Sequence, residues 1–254
     1  MEINRNHFKQ AMKERKLQIG LWSSMCSNLS AEIVAHSGFD WILLDTEHSP
    51  NEIPGLMSQL QALRGGTAMP VVRAAWNDTV LIKRILDIGA QSILLPYVQN
   101  AEEAKRAVQA VRYPPNGVRG VAAGSRASNF GRINGYLTKA DAEICLLVQV
   151  ETRSALDQIE AIASVEGVDG VFIGPADLSA SLGHLGNAQH PEAQAAIQDA
   201  AKRLAKVGKA SGILTGVEAE ARRYIEWGYN FVAVGTDTSL LRIAADNLAK
   251  SFKS

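Results

Sequence analysis

The chain has no excess charge of either sign: 26 lysines and arginines stand against 26 aspartates and glutamates. That balance removes the electrostatic case for a nucleic-acid partner or an anionic membrane surface. Cysteine is scarce. Cys26 and Cys145 lack Cys-x-x-Cys spacing and a disulfide-rich context, so both read as ordinary buried thiols, and neither redox nor zinc chemistry is indicated. No apolar run approaches the roughly 18 residues that span a bilayer, and the N-terminal stretch from Met1 to Lys9 holds no secretory apolar core. A soluble cytoplasmic protein with no membrane partner is expected. Gly-x-Gly-x-x-Gly is missing too, which argues against an open dinucleotide-binding sheet.

What is present is a rhythm. Short runs rich in Val, Ile and Leu alternate with longer segments of helical period, the pattern of repeated βα units on a parallel sheet. Eight strands are expected over 18–22, 41–45, 70–73, 92–96, 144–151, 170–173, 211–214 and 231–234. Helices are expected near 28–37, 52–63, 78–88, 100–111, 152–164, 191–207, 217–227 and 237–251. Asn77 or Asp78 and Asn100 offer helix starts, while Gly38, Gly89 and Gly228 offer stops just before strands. Eight such units in 254 residues point to an α/β fold, a (β/α)₈ TIM barrel forming a single domain over 1–254. One connection, 112–142, breaks the rhythm with Pro114-Pro115-Asn116-Gly117 and further glycines; a connection that long is often functional, so it is expected to cover the active site or reach a neighbouring subunit.

In such a barrel, polar residues at the carboxyl ends of strands carry the chemistry. Two apolar runs end in acids: Cys145 to Val150 runs into Glu151, and Val171-Phe172-Ile173 runs through Gly174-Pro175-Ala176 into Asp177. Side by side on one rim, these two carboxylates with a few waters would seat a hard dication such as Mg²⁺ or Mn²⁺. Either acid alone reads equally as a helix N-cap or first-turn acid. The pair, sharing its rim with Arg73 and His48, favours the metal seat. Asp45-Thr46-Glu47-His48 gives the imidazole a carboxylate three residues back to hold it and raise its basicity, although a rim histidine is also an ordinary loop residue. Arg73 either stabilises an oxyanion or closes the barrel end in an ion pair. The other histidines, His7, His36, His184 and His190, lie away from strand ends and read as solvated or structural. A helix opening at Gly174 to Ser179 would aim the amides of Ala176 and Asp177 at the carboxylate of a small 2-oxo acid. No strand candidate carries a lysine, so a metal–enolate route is favoured over an imine.

These residues resemble the HpcH/HpaI aldolases, metal-dependent pyruvate aldolases. The resemblance runs from Gln18-Ile19-Gly20-Leu21-Trp22 to Phe231-Val232-Ala233-Val234-Gly235. It is carried by Gly38-Phe39-Asp40-Trp41, Glu47-His48-Ser49-Pro50-Asn51, Arg112 to Gly120, Val148-Gln149-Val150-Glu151-Thr152 and Glu166 to Leu178. It implies reversible cleavage of a 4-hydroxy-2-oxo acid to pyruvate and an aldehyde by a homo-oligomer, a hexamer arranged as a dimer of trimers, using Mg²⁺ or alternatively Mn²⁺ or Co²⁺. By position, Glu151 and Asp177 match the metal ligands, Gln149 and Ala176 the pyruvate contacts, Arg73 the transition-state arginine and His48 the general base. Asp45 matches the acid paired with that histidine, and Asp87 an acid reaching it from a neighbouring subunit. Trp22, Gly174, Asp177 and Leu214 join the substrate contacts. Thr46 departs from the glycine many members carry. Gly183 to Asn187, Glu218 to Tyr224 and the ending Phe252-Lys253-Ser254 look most like the branch acting on 2-keto-3-deoxy sugar acids such as 5-keto-4-deoxy-glucarate, which yields tartronate semialdehyde. Arg126-Ala127-Ser128 looks equally like the 4-hydroxy-2-oxoheptanedioate branch. Rival readings are a lyase or synthase on a related acid at the same site, and a barrel that binds 2-oxo acids without turning them over.

Overall fold

A computed structural model describes residues 1–253; Ser254, the last residue of the C-terminal motif, lies outside them. Eight parallel strands close into one barrel in sequence order. They are β1 (Gln18–Ser23), β2 (Trp41–Asp45), β3 (Met69–Arg73), β4 (Ser92–Leu95), β5 (Cys145–Val150), β6 (Gly170–Ile173), β7 (Ala210–Leu214) and β8 (Phe231–Thr236). The helices are α1 (His7–Glu14), α2 (Asn28–Ala35), α3 (Ile53–Ala62), α4 (Thr79–Asp87), α5 (Ala101–Val111), α6 (Tyr136–Glu143), α7 (Arg153–Asp157), α8 (Ile159–Ala163), α9 (Pro175–Ser181), α10 (Pro191–Lys206), α11 (Glu218–Glu226) and α12 (Asp237–Ser251). None of the described helices is long and apolar enough to cross a membrane. The helix expected over 152–164 is divided into α7 and α8 at Gln158, whose backbone (φ −106°, ψ 14°) leaves the helical region.

Local chemistry sets the boundaries. Asp78 caps α4, its carboxylate accepting from the amides of Val80 and Leu81 at 2.9 Å. Asn100 caps α5 by accepting from Glu103 N–H, while the Glu103 carboxylate accepts from Gln99 N–H at 2.8 Å. Gly38, Gly89 and Gly228, at φ 89°, 95° and 101°, turn the chain from a helix toward the next strand in a conformation that favours glycine.

The period-two alternation of each strand sorts its residues into two layers. Trp22, Trp41, Leu43, Val71, Leu94, Cys145, Leu147, Phe172, Ala210, Phe231 and Ala233 fill the barrel interior. Their neighbours Ile42, Leu44, Val72, Ile93, Leu146, Val148, Val171, Ile213 and Val232 pack outward beneath the helices. The inward parity of β2, β3 and β5 continues to Asp45, Arg73 and Gln149, with Glu151 two residues on. Cys145 belongs to this interior, where burial pushes its thiol well above the ordinary range. Interior volume is shared between bare glycines and large rings: a Cβ at Gly212 would run into Phe231, and one at Gly20 into Trp41.

Two features depart from the sequence reading. Helix α1, unexpected because the N-terminus was read only for a signal, plugs the amino end of the barrel: Phe8 lies 5.7 Å from Trp41 and edge-on to Phe231 at 6.1 Å. The 112–142 connection does not cover the rim. It folds against that same amino end, where Tyr113 and Tyr136 pack with Ile3, Ala127 and Ile133, and Arg126 donates to the Ile88 carbonyl below α4.

Replacing Gly212 with Ala forces a methyl group into the Phe231 ring, and overpacking of this kind costs about 1–3 kcal/mol. Thermal unfolding should show a Tm several degrees below wild type. Gly65→Ala, where a Cβ meets open space, should leave it unchanged.

Candidate active site

At the carboxyl rim β2 and β3 are in register, with Asp45 opposite Arg73. The Arg73 guanidinium donates to both Asp45 oxygens, Nε to Oδ1 at 2.9 Å and Nη2 to Oδ2 at 2.7 Å. Trp22 completes the clamp, its indole N–H donating to Asp45 Oδ2 at 3.2 Å and its ring lying 4.7 Å from the guanidinium carbon. Burial alone would raise the Asp45 carboxyl, but the Arg73 hydrogen bonds and charge outweigh it and hold the group below its ordinary value. The third Arg73 nitrogen, Nη1, meets Glu47 Oε2 at 2.8 Å, off the hydrogen-bonding direction. Thr46 uses its hydroxyl to donate to the Arg73 carbonyl at 2.6 Å and ties the β2 loop to β3.

Across the mouth, Glu151 is buried. It accepts from the Tyr97 amide at 2.9 Å and from the Gln149 side-chain amide. Burial pushes its carboxyl up to about 7 against the pull of the Gln149 amide, and the charges of Asp177 and Glu47 push the same way. Glu47 is likewise raised by burial, against Arg73. The exposed Asp177 stands in the first turn of α9, whose backbone ladder begins with Leu178 N–H to Gly174 O at 3.0 Å, so the amides of Ala176 and Asp177 precede it. Gly174 is a necessity of space: a Cβ there would strike the Glu151 carboxylate.

This is a set short of positive charge. Four carboxylates, Asp45, Glu47, Glu151 and Asp177, lie on a rim with one guanidinium, and Asp45 already takes two of its three nitrogens. Buried Gln149 Oε1 and Glu47 Oε2 have no hydrogen-bond partner. A carboxylate raised by burial and by the acids beside it, with unpaired oxygens around it, fits a hard divalent cation.

The rim therefore gathers Trp22, Asp45, Arg73, Gln149, Glu151, Gly174, Ala176 and Asp177, with Leu214 packed on the edge of the interior core. One expectation needs correction. Asp45 does not hold His48, because both of its oxygens serve Arg73; the acid nearest the imidazole is Glu47, with Oε1 3.9 Å from Nε2, and His48 is exposed. Asp87 ends α4, which runs away from the rim, and pairs with Arg119 at 2.8 Å near the amino end of the barrel. The residue that sequence reasoning passed over is Glu47: its place in the Glu47-His48 motif was the available signal, but its contact with Arg73 arises only when β2 and β3 pair. Tyr97 was also missed. It holds Glu151 through a backbone amide at φ 56° and stacks on Trp76 at 5.6 Å.

Comparison with known proteins matches this architecture. A family model described as HpcH/HpaI aldolase/citrate lyase covers residues 18–244. A pyruvate aldolase of Rhizobium etli is 57% identical over 99% of this chain and 99% of its own. A 4-hydroxy-2-oxo-heptane-1,7-dioate aldolase of Klebsiella pneumoniae is 55% identical, covering 97% of this chain and 94% of its own. A 5-keto-4-deoxy-D-glucarate aldolase of Enterobacter sp. strain 638 is 50% identical, covering 99% and 98%.

Glu151 titrates near 7 in the fold against an ordinary 4.5, so below 4.5 it is protonated in both states, whereas between 4.5 and 7 only the unfolded chain gives up the proton. EDTA-treated wild type should therefore lose Tm relative to Glu151→Gln as pH rises through that window and hold a constant deficit above it. A Tm difference that does not change between pH 4.5 and 7 would contradict the charge-crowded site.

Proposed function

The chain belongs to the HpcH/HpaI aldolase/citrate lyase family, and from that premise we propose that this lyase cleaves a 4-hydroxy-2-oxo diacid reversibly to pyruvate and an aldehyde at the Arg73–Glu151 rim. The observation that carries the reading is the crowding of the buried Glu151 carboxyl by Asp177 and Glu47, beside the Glu47–Arg73 ion pair. A divalent cation held by Glu151 and Asp177, Mg²⁺ first with Mn²⁺ or Co²⁺ as alternatives, would supply Lewis-acid polarisation of the 2-oxo group. The Gln149 side chain and the amides of Ala176 and Asp177 hold the substrate carboxylate. Trp22, Gly174 and Leu214 shape the pocket around it. Arg73, fixed by Asp45 and Trp22, faces the negative charge that grows on the 2-oxo oxygen as the C3–C4 bond breaks. His48, free at the rim beside Glu47, takes the proton from the 4-hydroxyl, so the C4 carbon leaves as an aldehyde. Protonation at C3 then gives pyruvate.

Asp87 sits near the amino end of its own barrel, so it serves His48 only from another subunit. A homo-oligomer is therefore part of the proposal, and the hexameric dimer of trimers expected from the family is its form. Helix α12 supports this: Leu240, Leu241, Ile243 and Leu248 are all exposed apolar side chains that a subunit contact would cover. The cytoplasm is the compartment for an enzyme of central carbon acids. For the substrate, the Gly183 to Asn187 turn supports 5-keto-4-deoxy-glucarate or a related 2-keto-3-deoxy sugar acid. The heptanedioate is the second reading, supported by 55% identity to that relative against 50% to the glucarate enzyme. Both substrates are diacids and differ only in the aldehyde released.

A coupled pyruvate assay on both diacids with Mg²⁺, Mn²⁺ and Co²⁺ separates the readings. EDTA should abolish pyruvate release and added metal restore it; full activity after stripping would refute the metal role. Glu151→Gln should be inactive. Arg73→Lys should lower kcat by about 100-fold or more, since an ammonium cannot reproduce the clamped guanidinium. Light scattering on the eluted peak should give six subunits, and Leu241→Glu should reduce that number; a wild-type monomer would remove Asp87 from the site.

A further inference from the structure

Outside the rim, the structure brings together two histidines that the sequence reading had set aside as solvated. The turn between α9 and α10 is built by successive backbone hydrogen bonds: His184 N–H to Ser179 O at 2.8 Å, Asn187 N–H to His184 O at 3.0 Å and His190 N–H to Asn187 O at 3.0 Å. Gly183 and Gly186, at φ 91° and 76°, permit the reversal. It lays the His184 ring on the His190 ring, with centroids 3.4 Å apart and planes 19° from parallel. Two residues on, at the start of α10, Glu192 reaches back so that its Oε2 lies 2.8 Å from His184 Nε2. A ring nitrogen of each histidine and a Glu192 oxygen lie within 4.8 Å of one another.

We propose that His184, His190 and Glu192 form a second metal site, separate from the rim carboxylates and suited to a borderline transition-metal dication of the Zn²⁺ type. Two imidazoles and one carboxylate are the donor set that holds zinc with a fourth position left to water, whereas Mg²⁺ prefers oxygen throughout. Arg153 Nη2 donates to Glu192 Oε1 at 2.6 Å, which turns Oε2 toward the imidazoles. Helix capping explains part of the arrangement, since His190 Nδ1 accepts from Glu192 N–H at 3.3 Å. It does not call for a second imidazole stacked on the cap with its nitrogen on the same carboxylate. On binding, the rings swing out of their stack about the Cβ–Cγ bonds until one nitrogen of each faces the ion. The three donors are partly exposed, so the ion enters directly from solvent. The bound ion would fasten the turn that follows α9 to Arg153, two residues beyond Glu151, and so stiffen the outer wall of the rim.

The test uses the full chain, stripped with EDTA, dialysed and titrated with Zn²⁺ by calorimetry in excess Mg²⁺. Wild type and Glu151→Gln should both bind one equivalent per chain at this site, and Tm should rise on Zn²⁺ addition in both. His184→Ala with His190→Ala should weaken that equivalent by about 100-fold or more. Co²⁺ should give visible ligand-field absorption in Glu151→Gln that the double variant lacks. Because His190 also caps α10, Glu192→Gln and His184→Asn repeat the measurement with the cap intact and should show the same loss. Unchanged Zn²⁺ binding in the histidine and Glu192 variants, or its disappearance in Glu151→Gln alone, would overturn the proposal. Neither result bears on pyruvate formation with Mg²⁺ at the rim.

Discussion

The Arg73 guanidinium is buried at the barrel mouth with Asp45 across two of its nitrogens, Glu47 on the third and the Trp22 ring against its face. A buried ion pair is weak evidence for stability, because desolvating both ions offsets much of their attraction. Its consequence here is positional. Bidentate pairing fixes the plane of the guanidinium, and the indole prevents it from tilting, so Arg73 presents a fixed cationic edge to whatever occupies the mouth. Burial pushes the Glu151 carboxyl across the mouth up to about 7, and the charges of Asp177 and Glu47 push the same way, while the guanidinium itself is shared between Asp45 and Glu47.

That sharing depends on strand parity. Asp45 and Arg73 meet because β2 and β3 pair with these residues opposite, and because both sit on the inward phase established by Leu43 and Val71. Slipping either strand by one residue would turn its acid or base into the helix layer and bring Leu44 or Val72 to the mouth. The lower interior protects the register: Trp41, Phe231 and Phe172 occupy space that Gly20 and Gly212 leave free, and α1 seals the amino end with Phe8 and Met12.

Much of this was legible because it is local. Strand runs, the capping residues Asp78 and Asn100, and the glycine stops at 38, 89 and 228 are written in neighbouring residues, and eight repeated units leave few topologies open. The inward acids at strand ends follow from the same period. What the sequence did not disclose depends on contacts between distant segments. Asp45 lies three residues from His48 yet turns to Arg73, 28 residues away, since a guanidinium offers two aligned hydrogen bonds where a loop imidazole offers one. Asn6, whose side chain donates to Ser92 Oγ and to the Glu143 carbonyl, anchors α1 against α6 across a separation no periodicity reveals. The 112–142 connection does not cover the rim for the same reason: its aromatic anchors Tyr113 and Tyr136 find their partners at Ile3 and Ala127.

The distribution of cations across the barrel narrows the chemistry that its mouth can support. Among the described residues no lysine lies on a strand, and Lys209, the one adjacent to β7, is turned to the amino end, where it donates to the Val168 carbonyl at 2.6 Å. Imine catalysis requires an amine at the rim that can lose its proton, and none is there. In the proposed reaction, negative charge arising on a 2-oxo oxygen would be met by Arg73 and by a cation on the carboxylates. The two supports are complementary in kind. Arg73 is a planar donor, spoken for on one edge and fixed in direction, whereas Glu151 and Asp177 form a concentrated negative field that favours a dication. An arginine alone would leave Glu151 about half protonated near pH 7, and a dication alone would lack a directed donor opposite the reacting oxygen. The fold supplies both because neighbouring inward positions on β2, β3 and β5 are given to an acid, a base and an acid-bearing strand end.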